Sequence, residues 1–322
     1  MQSYQLTLKP LTAFATALYG DTLFGQLCWA IRNRYGEDKL TELLKGYTEQ
    51  QPFAIVSNAF PEGYIPLAKI PGHFYKEVAG LDRKAVKKRA WLPLEALSKP
   101  VSEWLHYASS EADIAQAYGD KEITKLQQTH PQPHNSINRQ TGTTGEGFAP
   151  YSIEQHWFHP QLQWHCYIQI DEQRIELESI RQCLEDIGQI GYGRDASIGM
   201  GKFAILECQP FQFNAQNQTN AWLTLAPCAP QGQGYDAEKS YYQVFTRFGR
   251  HGDRAVQQGK PFKNPVLLAQ AGAVFSLTNT KNPWIGQGIG GQGELSKIIP
   301  DTVQQGYSPV FGICLPNDAE RQ

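Results

Sequence analysis

Residues 190–203 read IGYGRDASIGMGKF, in which Gly191, Gly193, Gly199 and Gly201 frame Arg194 and Lys202. Upstream, Leu177, Ile180, Leu184 and Ile187 recur at helical spacing, and downstream Lys202 to Cys208 has the character of a strand. Glycine permits positive φ and close approach of another chain, so successive N–H groups in such a loop can point at phosphate oxygens while Arg194 and Lys202 add charge. The plain alternative is a helix C-cap at Gly188 or Gly191 followed by a tight turn, which needs one or two glycines. The stretch lacks the G-x-x-x-x-G-K-[ST] of a P-loop, and its helix-before-strand order reverses that of a dinucleotide fingerprint. The loop is therefore read as an RNA- or phosphate-binding connection.

Outward from this loop, Trp164, Cys166, Ile168 and Ile170 alternate with His165, Tyr167, Gln169 and Asp171, the period of a strand. At the start of the chain Tyr4, Leu6 and Leu8 alternate with Gln5, Thr7 and Lys9, as in a half-buried strand. After a loop, Leu11 to Gly20, the residues Leu23, Phe24, Leu27, Cys28 and Ile31 fall on one helical face. Asp21 stands where an N-cap is expected, a reading preferred to that of a nuclease acid. Phe53 to Phe60 gives a further strand. This order predicts an α+β fold whose first domain, residues 1–213, is ferredoxin-like (RRM-like) with an insertion over 61–150.

Inside the insertion, Pro66, Pro71, Pro93 and Pro100 mark irregular chain, Trp104 to Tyr118 is predicted as a helix, and His130 to Pro150 as an extended loop. Residues 214–322 offer strands at Trp222 to Leu225, Val266 to Gln270, Ala273 to Leu277 and Val310 to Leu315, with a helix at Glu238 to Phe248. They predict a second, degenerate ferredoxin-like domain, joined to the first through Gln209 to Asn220.

A net charge of -2 and a pI near 6.5 count against a broad basic face. The positive charge is local. Residues 81–90, LDRKAVKKRA, hold Lys84, Lys87, Lys88 and Arg89, and residues 245–263 hold Arg247, Arg250, Arg254, Lys260 and Lys263 against Asp253. Arg247, Arg250, His251 and Arg254 would share a face and meet phosphates if helical, although Gly249 and Gly252 weaken a continuous helix; Arg247, Arg250, Arg254, Lys260 and Lys263 are taken as RNA-binding candidates, with a solvated charged face as the alternative. The six cysteines show no CxxC spacing and are read as buried free thiols, and the histidines lack the partners of a metal set, so neither metal nor cofactor is expected. With no export-like leader and no apolar run near the roughly 20 residues that span a bilayer, a cytoplasmic protein is expected. No RNP1 pattern occurs in Lys202 to Glu207, so recognition by loops is expected, with Tyr192, Phe148 and Phe158 as candidates for stacking on bases.

A glycine-rich loop after the second helix of a ferredoxin-like domain resembles the RAMP proteins of CRISPR systems. Gly20 to Ile31 (GDTLFGQLCWAI), His134 to Gly142 (HNSINRQTG), Gly259 to Phe275 (GKPFKNPVLLAQAGAVF) and Val303 to Val310 (VQQGYSPV) narrow the resemblance to the Cas five-like family that supplies subunit four of the type III-A Csm complex. The resemblance spans nearly the whole chain. It implies a non-catalytic subunit that holds the repeat-derived 5′ tag of the crRNA, lies near the guide–target duplex, docks the large polymerase-like subunit and meets the backbone RAMP subunits. It implies tag contacts at Gly191, Gly193, Arg194, Ser197, Gly199, Gly201 and Lys202, with Gly20, Asp21 and Phe24 close by. It also implies a thumb-like hairpin at His134 to Pro150; in that stretch Asn135, Asn138 and Arg139 are read as RNA-binding groups, and His134 as a binding residue in preference to a general base. Two rival readings are an endoribonuclease that processes precursor crRNA with His134 or His251 as base, and a ferredoxin-like enzyme for a phosphorylated metabolite.

Overall fold

The computed structural model describes residues 1–80, 82–119, 125–145, 147–252, 261–277 and 282–316. In the first part of the chain, strands β1 (Gln2–Pro10), β2 (Ala54–Pro61), β3 (Tyr64–Pro66), β4 (Trp91–Pro93), β5 (Gln127–His134), β6 (Tyr151–Phe158), β7 (Trp164–Ile170) and β8 (Phe203–Pro210) alternate with helices. These are α1 (Gly20–Tyr35), α2 (Glu37–Leu44), α3 (Arg83–Lys88), α4 (Trp104–Tyr107), α5 (Glu111–Ala117) and α6 (Leu177–Ile190). The strands β1, β2, β7 and β8 form one antiparallel sheet in the order β2-β7-β1-β8, with α1 and α6 packed together on one face. Leu6, Leu8, Leu23, Phe24, Leu27, Ile31, Ile168, Ile180, Leu184 and Ile187 make up the core between sheet and helices, as the two sequence periodicities require.

The remaining strands are β9 (Ala221–Thr224), β10 (Tyr235–Tyr241), β11 (Val244–Arg247), β12 (Val266–Ala269), β13 (Val274–Leu277), β14 (Trp284–Gly290) and β15 (Val303–Ile313). Five of them form a second sheet, β10-β13-β9-β15-β14, and β11 pairs with β12 as a separate ribbon. The predicted helix at Glu238 to Phe248 is absent: that stretch is strand, first β10 and then β11. Ser240 accounts for part of the difference, since its Oγ donates to the carbonyl of Asp236 and accepts the amide of Ser276, tying the segment to β13. The predicted helix at Trp104 to Tyr118 is broken into α4 and α5, with Ser110 restarting it through a capping box with Asp113.

The far face of the first sheet is not open to solvent, which corrects the half-buried reading of β1. Gln5, Thr7, Tyr167 and Gln169 on that face are all buried. A second core, including Phe60, Leu92, Trp104, Tyr167, Leu223 and Phe311, fills the space between this face, the second sheet and the insertion. The VQQGYSPV strand is the seam. Gln305 is fully buried, and its side-chain amide accepts the Val56 N–H at 2.8 Å and donates to the Val56 carbonyl at 2.7 Å, where the β2–β7 register breaks. Ser308 Oγ accepts the amides of Leu225 and Ala226, each at 2.8 Å.

All six cysteines are free; Cys166, Cys183 and Cys228 are buried, while Cys28, Cys208 and Cys314 are half-buried. Among the described residues no helix is long and apolar enough to cross a membrane.

Candidate nucleic-acid interface

The glycine loop is a folded structure held by the segment 11–19. The amide of Lys202 donates to Thr12 Oγ1 at 3.0 Å, the amide of Arg194 to Thr16 Oγ1 at 3.0 Å, and the amide of Gly201 to the carbonyl of Ala13 at 2.8 Å. Tyr192, offered above as a base-stacking ring, is instead fully buried; its hydroxyl donates to the Ala17 carbonyl and accepts the Tyr19 amide. Gly201, at φ 74°, lies so close to Tyr192 that any Cβ would overlap the Tyr192 carbonyl oxygen. Gly191 and Gly193 likewise press on Met200 and Thr16. Gly199 differs: it has φ 92°, and a Cβ there would meet nothing within 4 Å.

Three of the four glycines thus serve contacts within the chain, and most of the loop amides are already bonded, which corrects the picture of a row of N–H groups aimed outward. Ala196 and Ser197 open a short 3-10 turn over Ala196–Ile198, whose first amides have no partner within the turn itself. Arg194 and Ser197 are exposed, and Gly199 and Lys202 are half-exposed. Arg194 forms an ion pair with Asp195 at 3.2 Å, whose backbone is left-handed at φ 62°.

Of the predicted loop at His130 to Pro150, the first five residues are the end of β5 and the remainder joins it to β6, the two strands pairing from Gln127↔Phe158 to His134↔Tyr151. Its base is sewn to segment 11–19, since the amides and carbonyls of Phe14 and His156 exchange bonds of 3.0 and 2.8 Å. Phe14 sits edge-on to Phe158 and Trp164, so Phe158 is a packing residue. Gln155 Nε2 reaches Met200 Sδ at 3.8 Å, joining hairpin and glycine loop directly. Asn135 and Arg139 are exposed near the tip, where Asn138 Oδ1 accepts the Gln140 amide. The His134 ring stacks on Tyr151 at 5.3 Å.

Gly20, Asp21 and Phe24 are interior. Gly20 lets α1 approach β2, its amide donating to Asn58 Oδ1 at 2.8 Å. Phe24 is buried against Tyr47, with ring centroids 4.7 Å apart. Asp21 does not cap α1, whose N-cap is Tyr19. It makes a two-pronged ion pair with Arg247, at 2.7 Å to Nε and 2.9 Å to Nη2, and Gln304 Nε2 adds a bond at 3.3 Å. Burial raises the pKa of the Asp21 carboxyl, and Arg247 pulls against that rise. The Arg247 guanidinium lies over the rings of Tyr19 and Phe245, at 4.6 and 4.9 Å.

Arg247 therefore ties the β11–β12 ribbon to α1. The helical face proposed for Arg247, Arg250, His251 and Arg254 is replaced by this ribbon, which an Arg250↔Phe262 bridge extends. Arg250 is exposed, and Lys263 is half-buried, its pKa lowered by burial. His251 is buried, with Nε2 2.9 Å from Ser296 Oγ. Arg254 and Lys260 lie outside the described residues. The α3 lysines Lys84, Lys87 and Lys88 belong to a helix capped by Asp82, whereas Arg89 donates to the Leu105 carbonyl at 2.6 Å. Sequence reading passed over Thr12, Phe14 and Thr16, because a segment of small and apolar residues without periodicity gives no signal until its partners are known.

Neither a protein-family model nor a curated protein matches the sequence. Solved structures do. Over 98 % of this chain and 100 % of the matched one, with a TM-score of 0.59 and 14 % identity, the fold is similar to a chain of the Csm1-Csm4 cassette in complex with pppApA. The corresponding values for the same cassette with AMPPNP are 98 %, 100 %, 0.58 and 16 %. For the Csm3-Csm4 subcomplex in the type III-A CRISPR-Cas interference complex they are 98 %, 100 %, 0.59 and 15 %. The likeness is one of fold, and the class it defines is a mixed α/β chain of the kind found in type III effector assemblies. Csm4 is the component these assemblies share, and this chain resembles it in fold over nearly its whole length.

Proposed function

We propose that this chain is a crRNA-binding, non-catalytic subunit of a type III-A effector complex that holds the repeat-derived 5′ tag and docks the large polymerase-like subunit. The reading takes the first sheet with α1 and α6 as a ferredoxin-like RAMP domain over residues 1–213; its strand order and its two helices on one face support that. Residues 214–322 are then a second such domain that has kept its sheet. The observation that carries the functional reading is the shared mounting of the glycine loop and the β5–β6 hairpin on segment 11–19. Arg194, Ser197, Gly199 and Lys202 face outward beside the root of a hairpin whose tip carries Asn135 and Arg139. A backbone could thus be gripped by the loop while the hairpin reaches along the adjoining strand.

Binding is favoured over cleavage by the two candidate bases. His251 is buried and engaged with Ser296, out of reach of an RNA strand, and the His134 ring is stacked on Tyr151. Asp21, weighed above as a nuclease acid, is committed to Arg247.

The test is a titration of the purified chain with RNA carrying a repeat-derived 5′ tag and with the same RNA scrambled in the tag. Preference for the intact tag, without cleavage, is expected. Equal affinity for both would refute tag recognition, and specific scission lost in His134→Ala would replace the scaffold reading with that of an endoribonuclease.

A further inference from the structure

The β11–β12 ribbon presents one face to α1 and the opposite face to solvent. Phe245 and Arg247 point inward, whereas Val244, Thr246, Phe248 and Arg250 are exposed. Phe248 is 74 % exposed and Phe262 68 %, and Leu267, across from Thr246, is 55 % exposed. Exposed phenylalanines are costly on a surface unless something covers them. The Arg250 guanidinium lies 6.0 Å from the centre of the Phe262 ring. Between Val244 and Ala269 the sequence carries Arg247, Arg250, Arg254, Lys260 and Lys263 against the single acid Asp253, in a chain of net charge -2. Of these cations, Arg247 is matched by Asp21, Lys263 is half-buried, Arg254 and Lys260 lie outside the described residues, and Arg250 is exposed on the outer face.

We infer that this outer face is a stacking platform for single-stranded RNA, on which Phe248 and Phe262 carry unpaired bases and Arg250 holds the backbone between them. The inference rests on the RNA-binding reading above and adds to it a second contact area, separate from the glycine loop. Charge points to the occupant: two exposed aromatic rings beside the exposed guanidinium of Arg250, in a stretch that carries five cations and one acid, suit a single strand. The Asp21–Arg247 ion pair fixes the ribbon against α1, so the rings are presented from a rigid support.

The experiment measures binding of the full chain to labelled oligouridine, oligoadenosine and an RNA duplex over a series of salt concentrations. Phe248→Ala and Phe262→Ala should each weaken single-strand binding by about tenfold, since a stacked base contributes about 1–3 kcal/mol. The salt slope should stay unchanged in both. Phe262→Trp should restore affinity and Phe262→Leu should not, because leucine keeps the apolar surface and loses the π face. Arg250→Gln should flatten the salt slope. Both rings are exposed, so none of these changes threatens the fold. Unaltered single-strand affinity in both alanine variants overturns the platform, as does rescue by leucine, which would mark a protein-docking face. Failure of the unaltered chain to bind any RNA would instead overturn the functional reading on which the platform rests.

Discussion

At the scale of single residues, buried polar groups explain why parts of the predicted site turned inward. Asp21 and Arg247 are 226 positions apart and meet in a bidentate pair almost closed to water. Asp21→Ala leaves a guanidinium with no countercharge and should cost about 3–5 kcal/mol in chemical denaturation, and adding Arg247→Met should recover much of that loss. Two imidazoles give a pH dependence. Burial holds the pKa of His165 and of His251 below the ordinary 6.5; Glu62 and Glu207 oppose the shift at His165, while Lys263 reinforces it at His251. The unfolded chain therefore binds more protons just below pH 6.5, and stability present above that value is lost as the pH falls toward the folded pKa values. Melting temperatures taken across this window should decline with acid, and less steeply in His251→Asn.

At the scale of elements, the glycine loop divides into residues needed by the fold and one left over. Gly201→Ala forces a Cβ onto the Tyr192 carbonyl in a left-handed backbone, and the variant should lose on the order of 2–3 kcal/mol of stability. Gly199→Ala has room and should lose about 1 kcal/mol from its positive φ alone; a larger loss of RNA affinity than of stability would mark Gly199 as a point of close backbone approach. In the seam, Gln305→Leu strands the N–H and carbonyl of Val56 and should cost about 2–5 kcal/mol, read by denaturant titration. These contrasts show what the sequence could reveal. The periods in Tyr4 to Leu8, Leu23 to Ile31, Trp164 to Ile170 and Leu177 to Ile187 are local, and each became the element they predict. Arg247 and Gln305 act through partners more than 200 positions away, which no local pattern encodes. The Glu238 to Phe248 stretch has no decisive period, and pairing with β13 and β12 settled it as strand.

At the scale of the whole molecule, α1 and α6 cover one face of the first sheet and the second sheet with the insertion covers the other, so on the proposed reading an RNA strand must be met by loops and hairpins at the periphery. The same enclosure shelters the cysteines: burial pushes the thiols of Cys166 and Cys228 up to about 12 and that of Cys183 to about 11. Alkylation of the native protein at neutral pH should spare these three, and unfolding should expose them. Segment 11–19 is the structural centre of the proposed interface, holding the glycine loop through Thr12 and Thr16 and the hairpin through Phe14. The most direct test is the guide RNA content of the effector complex purified with this chain carrying Arg194→Glu and Lys202→Glu. The account predicts a folded chain and a fall of about tenfold or more in bound crRNA, as two phosphate contacts become repulsions. An undiminished crRNA content would contradict it.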